Sequence, residues 1–334
     1  MRSSLRRFVY LVVDGQRPCT LDLHRIDMSR FFSQRSPLTV AAATVDSQLP
    51  RPSMTFCAPS SEHSSGIMHF MLLGREKVLA TDQTGRASIY DAGLHALRTA
   101  PTLSRPKHRP VHVAVEDRLY VLDSTQNDAI VSESEPSFEA ITYECVRGPD
   151  GFQYNDWRCH SLPTPPFRST DISGYAVVGN TDIWVSMEDE GTYSFDTSGG
   201  AWIKKGDWTL PFQGLAHYVP EYKLWFGLSN KNSNLFSAFD LTGTQMPPVL
   251  NVLEDIGPPK KWLPVRSFLV HLGSTRFCIA RLFGVDDDDC KKMLAVFTGM
   301  EVEPCGKTRK GLRMVQHKSV CYNLGDNVLN HCVL

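Results

Sequence analysis

Tyr175-Ala-Val-Val, Gly179-Asn-Thr-Asp, Ile183-Trp-Val-Ser: two short β-favouring runs on either side of a tight polar turn. The stretch decides the fold because the same unit recurs along the chain. β-branched and aromatic residues bounded by Gly, Asn, Asp or Pro are what a hairpin requires. Earlier copies are Met68-His-Phe-Met-Leu-Leu with Val78-Leu-Ala-Thr, and Val111-His-Val-Ala-Val with Leu119-Tyr-Val-Leu. Later copies are Ala216-His-Tyr-Val with Leu224-Trp-Phe-Gly, and Ser267-Phe-Leu-Val-His-Leu with Phe277-Cys-Ile-Ala. A weaker copy is Leu312-Arg-Met-Val-Gln, a turn at His317-Lys-Ser, then Val320-Cys-Tyr. The period is roughly 40 to 60 residues, in the range of WD40 and kelch repeats.

After most hairpins a third β run follows, often an aromatic and then Asp: Ile89-Tyr90-Asp91, Ser194-Phe195-Asp196, Ala238-Phe239-Asp240. Phe138–Tyr143 and Leu294–Phe297 fill the same slot, and twice a fourth run carries Trp before Leu-Pro, at Trp157 and Trp208. Four strands per unit is the content of a propeller blade. The expected fold is therefore all-β: a single six-bladed kelch-like β-propeller domain over 1–334, with blades at about 67–105, 111–163, 174–211, 215–253 and 267–304. The sixth blade would join 312–323 to 8–26, so that strands from both termini leave no open sheet edge at the seam. A β-sandwich is the rival, but it does not call for one four-strand unit repeated along the chain. No sustained 3.6-residue apolar period argues for a long helix.

The opening Arg6-Arg-Phe-Val-Tyr-Leu-Val-Val-Asp and Leu23-His-Arg-Ile-Asp-Met-Ser-Arg-Phe-Phe, with Tyr193-Ser-Phe-Asp and Trp208-Thr-Leu-Pro, resemble a plant family of uncharacterised kelch-like proteins expanded in grasses. The resemblance implies a plant intracellular protein with a propeller-like fold, in cytoplasm or nucleus, and no catalytic residues to transfer. The double Gly of well-formed kelch repeats is absent from most units.

Composition narrows the function. With 35 basic and 36 acidic residues the net charge is -1, which argues against a whole-protein footprint for nucleic acid or anionic membrane. No run approaches the roughly 20 apolar residues that cross a bilayer. Nine scattered cysteines and no Asn-x-Ser/Thr acceptor fit a reduced, intracellular protein. Arg2, Arg6 and Arg7 before Phe8–Val13 leave organelle import open, although the apolar run is too short for a signal peptide.

Catalytic and metal motifs are not found. Cys19, His24 and Cys332, or Cys305, His317 and Cys321, lack the paired spacing of a zinc site. Cys159 and His160 are adjacent on a strand, so their side chains face opposite ways and cannot form a thiol–imidazole pair. Asp286–Asp289 lack the spaced ligands of a calcium loop. No P-loop, dinucleotide fingerprint, H-E-x-x-H or G-x-S-x-G is present. No metal, cofactor or catalytic residue is expected.

Long segments point to an interaction module. Ser29–Gly66, Ser124–Pro136, Pro163–Ser173, Pro247–Pro264 and Val302–Lys310 are expected on the blade face that carries the strand 2–3 and inter-blade connections. Ser29–Gly66 reads as a long, partly disordered loop. The expected contacts with a protein partner are Asp286, Asp287, Asp288 and Asp289 with Lys260, Lys261 and Trp262. Lys307-Thr-Arg-Lys is expected on the same face. The alternative is an enzyme of hydrolase or lyase type, its site at the central channel among the first-strand histidines His69, His112, His217 and His271.

Overall fold

The computed structural model describes residues 5–32, 45–60, 66–104, 107, 109–124, 138–167, 172–230, 234–243, 247–252, 262–287, 290–305, 311–326, 328 and 331–334. Among them there is no α-helix, only a 3-10 turn at Met28–Phe31, and so no helix long and apolar enough to cross a membrane.

The strands open with β1 (Phe8–Asp14), β2 (Thr20–Asp27), β3 (Val45–Ser47) and β4 (Met54–Cys57). Then come β5 (Met68–Leu73), β6 (Lys77–Asp82), β7 (Ala87–Asp91) and β8 (Ala96–Ala100). The next four are β9 (Val111–Val115), β10 (Arg118–Leu122), β11 (Phe138–Arg147) and β12 (Gln153–Ser161). They are followed by β13 (Gly174–Val178), β14 (Asp182–Met187), β15 (Gly191–Asp196) and β16 (Ala201–Gly206). Then come β17 (Phe212–Val219), β18 (Leu224–Ser229), β19 (Phe236–Phe239) and β20 (Val249–Val252). The chain continues through β21 (Trp262–Gly273), β22 (Arg276–Asp287), β23 (Cys290–Cys305) and β24 (Gly311–Asp326) to β25 (His331–Val333).

The chain forms two compact units. The first comprises Met1–Cys57, Pro211–Leu241 and Pro247–Leu334. It holds the antiparallel sheets β25-β1-β2-β4, β17-β18-β19-β20 and β21-β22-β23-β24, and β3 adds to β24 in parallel. The second comprises Ala58–Leu210 and Thr242–Met246, with the meanders β5-β6-β7-β8, β9-β10-β11-β12 and β13-β14-β15-β16. Period-two burial packs sheet against sheet within each unit. In the first unit Val9, Leu11, Cys278, Ala280, Ala295 and Phe297 share one buried cluster. In the second, Met71, Leu79, Ile89, Leu119, Val121 and Ile141 share another.

The turn after Val178 has positive φ at both Gly179 (63°) and Asn180 (68°), the pair of left-handed residues that a tight hairpin turn favours. Gly191 has φ 84°, and a Cβ there would run into the carbonyl oxygen of Gly206 on the neighbouring strand. Gly191→Ala is expected to cost about 1–3 kcal/mol in a thermal or urea melt. An unchanged melt would show that the backbone relaxes there.

Several expectations need correction. Ser29–Gly66 is not all loop: β3 and β4 lie within it, and β4 pairs with β2. Leu312–Tyr322 is not a hairpin: β24 continues through His317-Lys-Ser with a bulge at His317–Lys318, and pairs with β23 on both sides of it. The polar triplet looks like a turn, but His317 is 5% exposed and its Nε2 bonds Glu301 Oε2 of β23 at 2.9 Å. The terminal sheet does join both ends of the chain, but β1 pairs with β25 (His331–Val333) and not with 312–323. The fourth-run Trp residues also differ: Trp157 lies within β12, whereas Trp208 follows β16. There Thr192 Oγ1 donates to Trp208 O (2.7 Å) and Leu210 N to Ser186 Oγ (2.9 Å), which holds Trp208–Leu210 on the sheet.

Candidate functional site

In the first unit the β21–β22 register sets Trp262 opposite Val285, so the start of β21 and the end of β22 lie side by side. Asp286 and Asp287 continue β22 opposite Lys291 and Cys290. The chain therefore brings Trp262 and the start of the acidic run to one end of one sheet. Lys260, Lys261, Asp288 and Asp289 lie outside the described residues.

The Trp262 ring packs 5.4 Å from Phe283 over buried Leu294, Val296 and Cys321. Beside it Leu263 is 60% and Val265 48% exposed. A bulge between Pro264 and Arg266 displaces Val265 from the ladder. The result is a half-buried indole on a packed base, with open aliphatic surface around it. Large apolar groups left in water on a sheet end are a recurrent mark of a contact surface.

The long segments do not all share that end. Val302–Cys305 and Gly311–Met314 are paired strand, at the end of the sheet that carries the β21–β22 turn. Lys307–Lys310 lies outside the described residues. Most of Ser29–Gly66 before β3, 125–136, 168–171 of Pro163–Ser173 and 253–261 of Pro247–Pro264 lie outside the described residues.

The four first-strand histidines separate by unit. In the first, His217 and His271 are neighbours, with ring centroids 5.6 Å apart. Each spends its Nε2–H on a main-chain carbonyl: His217 on Leu269 O (3.4 Å) and His271 on Ser274 O (2.8 Å). Burial pushes His217 down to about 3, and His271 is lowered by burial too. In the second, His69 lies on β5, and His112 lines a small apolar cavity with Val111, Tyr120, Phe138 and Tyr175. Burial takes His112 down to about 4. Neutral imidazoles tied to carbonyls or set among apolar groups are poor proton shuttles at neutral pH.

Cys159 and His160 do face opposite ways. Cys159 Sγ donates to Glu139 Oε1 (3.2 Å) and is pushed up to about 12 by burial and the adjacent carboxylate. His160 Nε2 contacts Thr142 Oγ1 (3.1 Å) and Glu144 Oε1 (3.2 Å). Among the described residues no three His, Cys, Asp or Glu groups converge as a metal site. Sequence reasoning missed the pair Lys107–Glu139, whose side chains are both 0% exposed. It also missed the Arg276–Glu301–His317 network, where Arg276 Nε donates to Glu301 Oε1 at 3.1 Å. In each case the partners are far apart in the chain, and no linear motif joins them.

A family whose description is a protein of unknown function matches residues 6–322. No curated protein matches the chain.

Proposed function

The chain belongs to that family, DUF1668, and we propose that it is a non-enzymatic scaffold that recognises another protein through the sheet end at Trp262. On this reading it is a plant, intracellular, kelch-like propeller whose four-stranded sheets are six blades. One observation carries the functional part: Trp262 sits beside the strand that leads into Asp286 and Asp287, with Leu263 and Val265 open to solvent. An aromatic anchor on a packed base, flanked by aliphatic area and charged segments, has the anatomy of an interface hot spot. Lys260, Lys261, Asp288 and Asp289 extend the contact in this proposal. The enzyme reading is weaker, because two of the histidines it relies on, His217 and His271, are tied to main-chain carbonyls and His112 is set in an apolar cavity.

Affinity capture with the tagged full chain, followed by binding measurements on the partner recovered, tests this. Leu263→Asp with Val265→Asp should weaken binding by roughly tenfold or more. Asp286→Lys with Asp287→Lys should weaken it and alter its salt dependence. Melting of the surface variants should stay near that of the unaltered chain. A partner that binds both variants as tightly as the parent chain would falsify the assignment of this surface.

A further inference from the structure

Among the described residues no strand pairs with the far side of β12 in the second unit, and we propose that β12 takes up an extended segment of a partner protein as an added strand. β12 is nine residues long, Gln153-Tyr-Asn-Asp-Trp-Arg-Cys-His-Ser, and ends the sheet order β12-β11-β10-β9. Its register with β11 is unbroken from Arg147↔Gln153 to Glu139↔Ser161.

Exposed edges are normally blunted by brevity, proline, lysine or bulges. The other outer strands are blunted in these ways. β8 has five residues, and β4 and β20 have four each. β16 carries Lys204 and Lys205 and faces a register shift at Thr192/Tyr193. β24, longer still at 16 residues, carries Lys318, is interrupted by two register shifts against β23, and meets β3 in parallel at Cys321 and Tyr322. β12 has no proline, lysine or bulge and is exposed or half-exposed throughout.

The alternation of the ladder shows which groups the edge offers. Leu162 N donates to Phe138 O, and Gly148 N to Phe152 O. Those bonded pairs flank β12, so the main-chain groups of Gln153, Asn155, Trp157, Cys159 and Ser161 point outward. One of them already has an oxygen on it: Trp157 N donates to Asp156 Oδ1 at 2.7 Å. That carboxylate oxygen stands where the carbonyl of an incoming strand would sit, and Arg98 Nη2 holds the same oxygen at 2.7 Å. Side chains give the occupant its chemistry. Tyr154 is 47% and Phe152 69% exposed, so aromatic or β-branched residues of the added strand would pair with them. Arg158 is exposed, and Glu144, Asp150 and Asp156 are already bonded to His160, Tyr154 and Arg98. An acidic residue opposite Arg158 completes the match. The partner segment is thus an extended, apolar-alternating peptide with one acid and no proline at bonding positions.

The probe is a displayed library of random peptides about a dozen residues long, selected on the full chain. Selected peptides should bind the parent chain and slow amide exchange at Asn155, Trp157 and Cys159 by roughly tenfold or more. Asn155→Pro removes an outward donor and spares the β11 ladder, so its melt should change little while binding is lost. Arg158→Glu should weaken acidic peptides and spare the fold. Leu263→Asp with Val265→Asp should leave peptide binding intact, which separates this surface from the Trp262 surface. Three outcomes overturn the proposal: no peptide selected, selected peptides that bind Asn155→Pro normally, or sedimentation showing that β12 instead pairs two copies of this chain.

Discussion

Replacing Lys107 by methionine is expected to destabilise the second unit by about 3–5 kcal/mol, because it strands a buried carboxylate. Lys107 Nζ contacts Glu139 Oε2, and neither side chain has any exposed surface. Burial alone drives the Glu139 carboxyl upward, yet its pKa lies below the usual carboxylate value because the lysine, with Ser104, outweighs that cost. Without the ammonium, Ser104 N (2.8 Å) and Cys159 Sγ still donate to Oε1, but they do not neutralise the charge. Glu139 should then take up a proton, its folded pKa rising above the unfolded value of 4.5. The defect should therefore be largest at neutral pH and shrink as the medium is acidified toward that raised value. Glu139→Gln added to Lys107→Met keeps an acceptor for Ser104 without a charge, so the double variant should recover most of the loss. Urea melts of the parent chain and both variants at pH 7 and pH 5 decide it. A single variant no less stable than the double one would mean that Glu139 is already neutral in the fold.

The sequence made the strands legible and left their joins obscure, for physical reasons. Val111–Val115 and Tyr175–Val178 stand out because β-branched and aromatic residues alternate between clear turn residues. His317-Lys-Ser misled because a polar triplet between apolar runs reads as a turn, while only the fold reveals Glu301 waiting for the imidazole. β25 was hidden because His331-Cys-Val is too short to show a period, and its partner Leu11–Val13 lies at the far end of the chain. The same distance hides Lys107–Glu139, which no spacing rule joins. Trp262 and Asp286 were both visible as surface candidates; their adjacency follows from the register Trp262↔Val285, set by the turn at Gly273 and the bulge beside Pro264. The β12 edge was least legible of all, because an unpaired edge is defined by which strands lie elsewhere.

Acidification from neutral pH to about 4.5 should cost up to roughly 2–3 kcal/mol at each of His217 and His112, before most carboxylates titrate. The direction follows from their folded values of about 3 and about 4, both below the ordinary 6.5. A histidine held neutral in the fold gives its full stability above the unfolded value. That stability drains away as pH falls from 6.5 toward the folded value, because the unfolded chain binds the proton first. Both residues keep some accessible surface, so the figure is an upper bound for each. The carboxylates act lower down: Asp27, held by Arg7 at about 2, loses its contribution only below 3.8. The window between 6.5 and about 4.5 therefore belongs to buried histidines. His217→Gln keeps a donor for Leu269 O and cannot titrate, and His112→Leu suits the apolar lining around Tyr175 and Ile183. Each variant should flatten the fall in stability between pH 6.5 and 4.5, and the pair should flatten it most. Equal slopes in parent and variants, by urea melts across that range, would place the acid-sensitive proton elsewhere and leave the two imidazoles hydrated enough to charge at no cost.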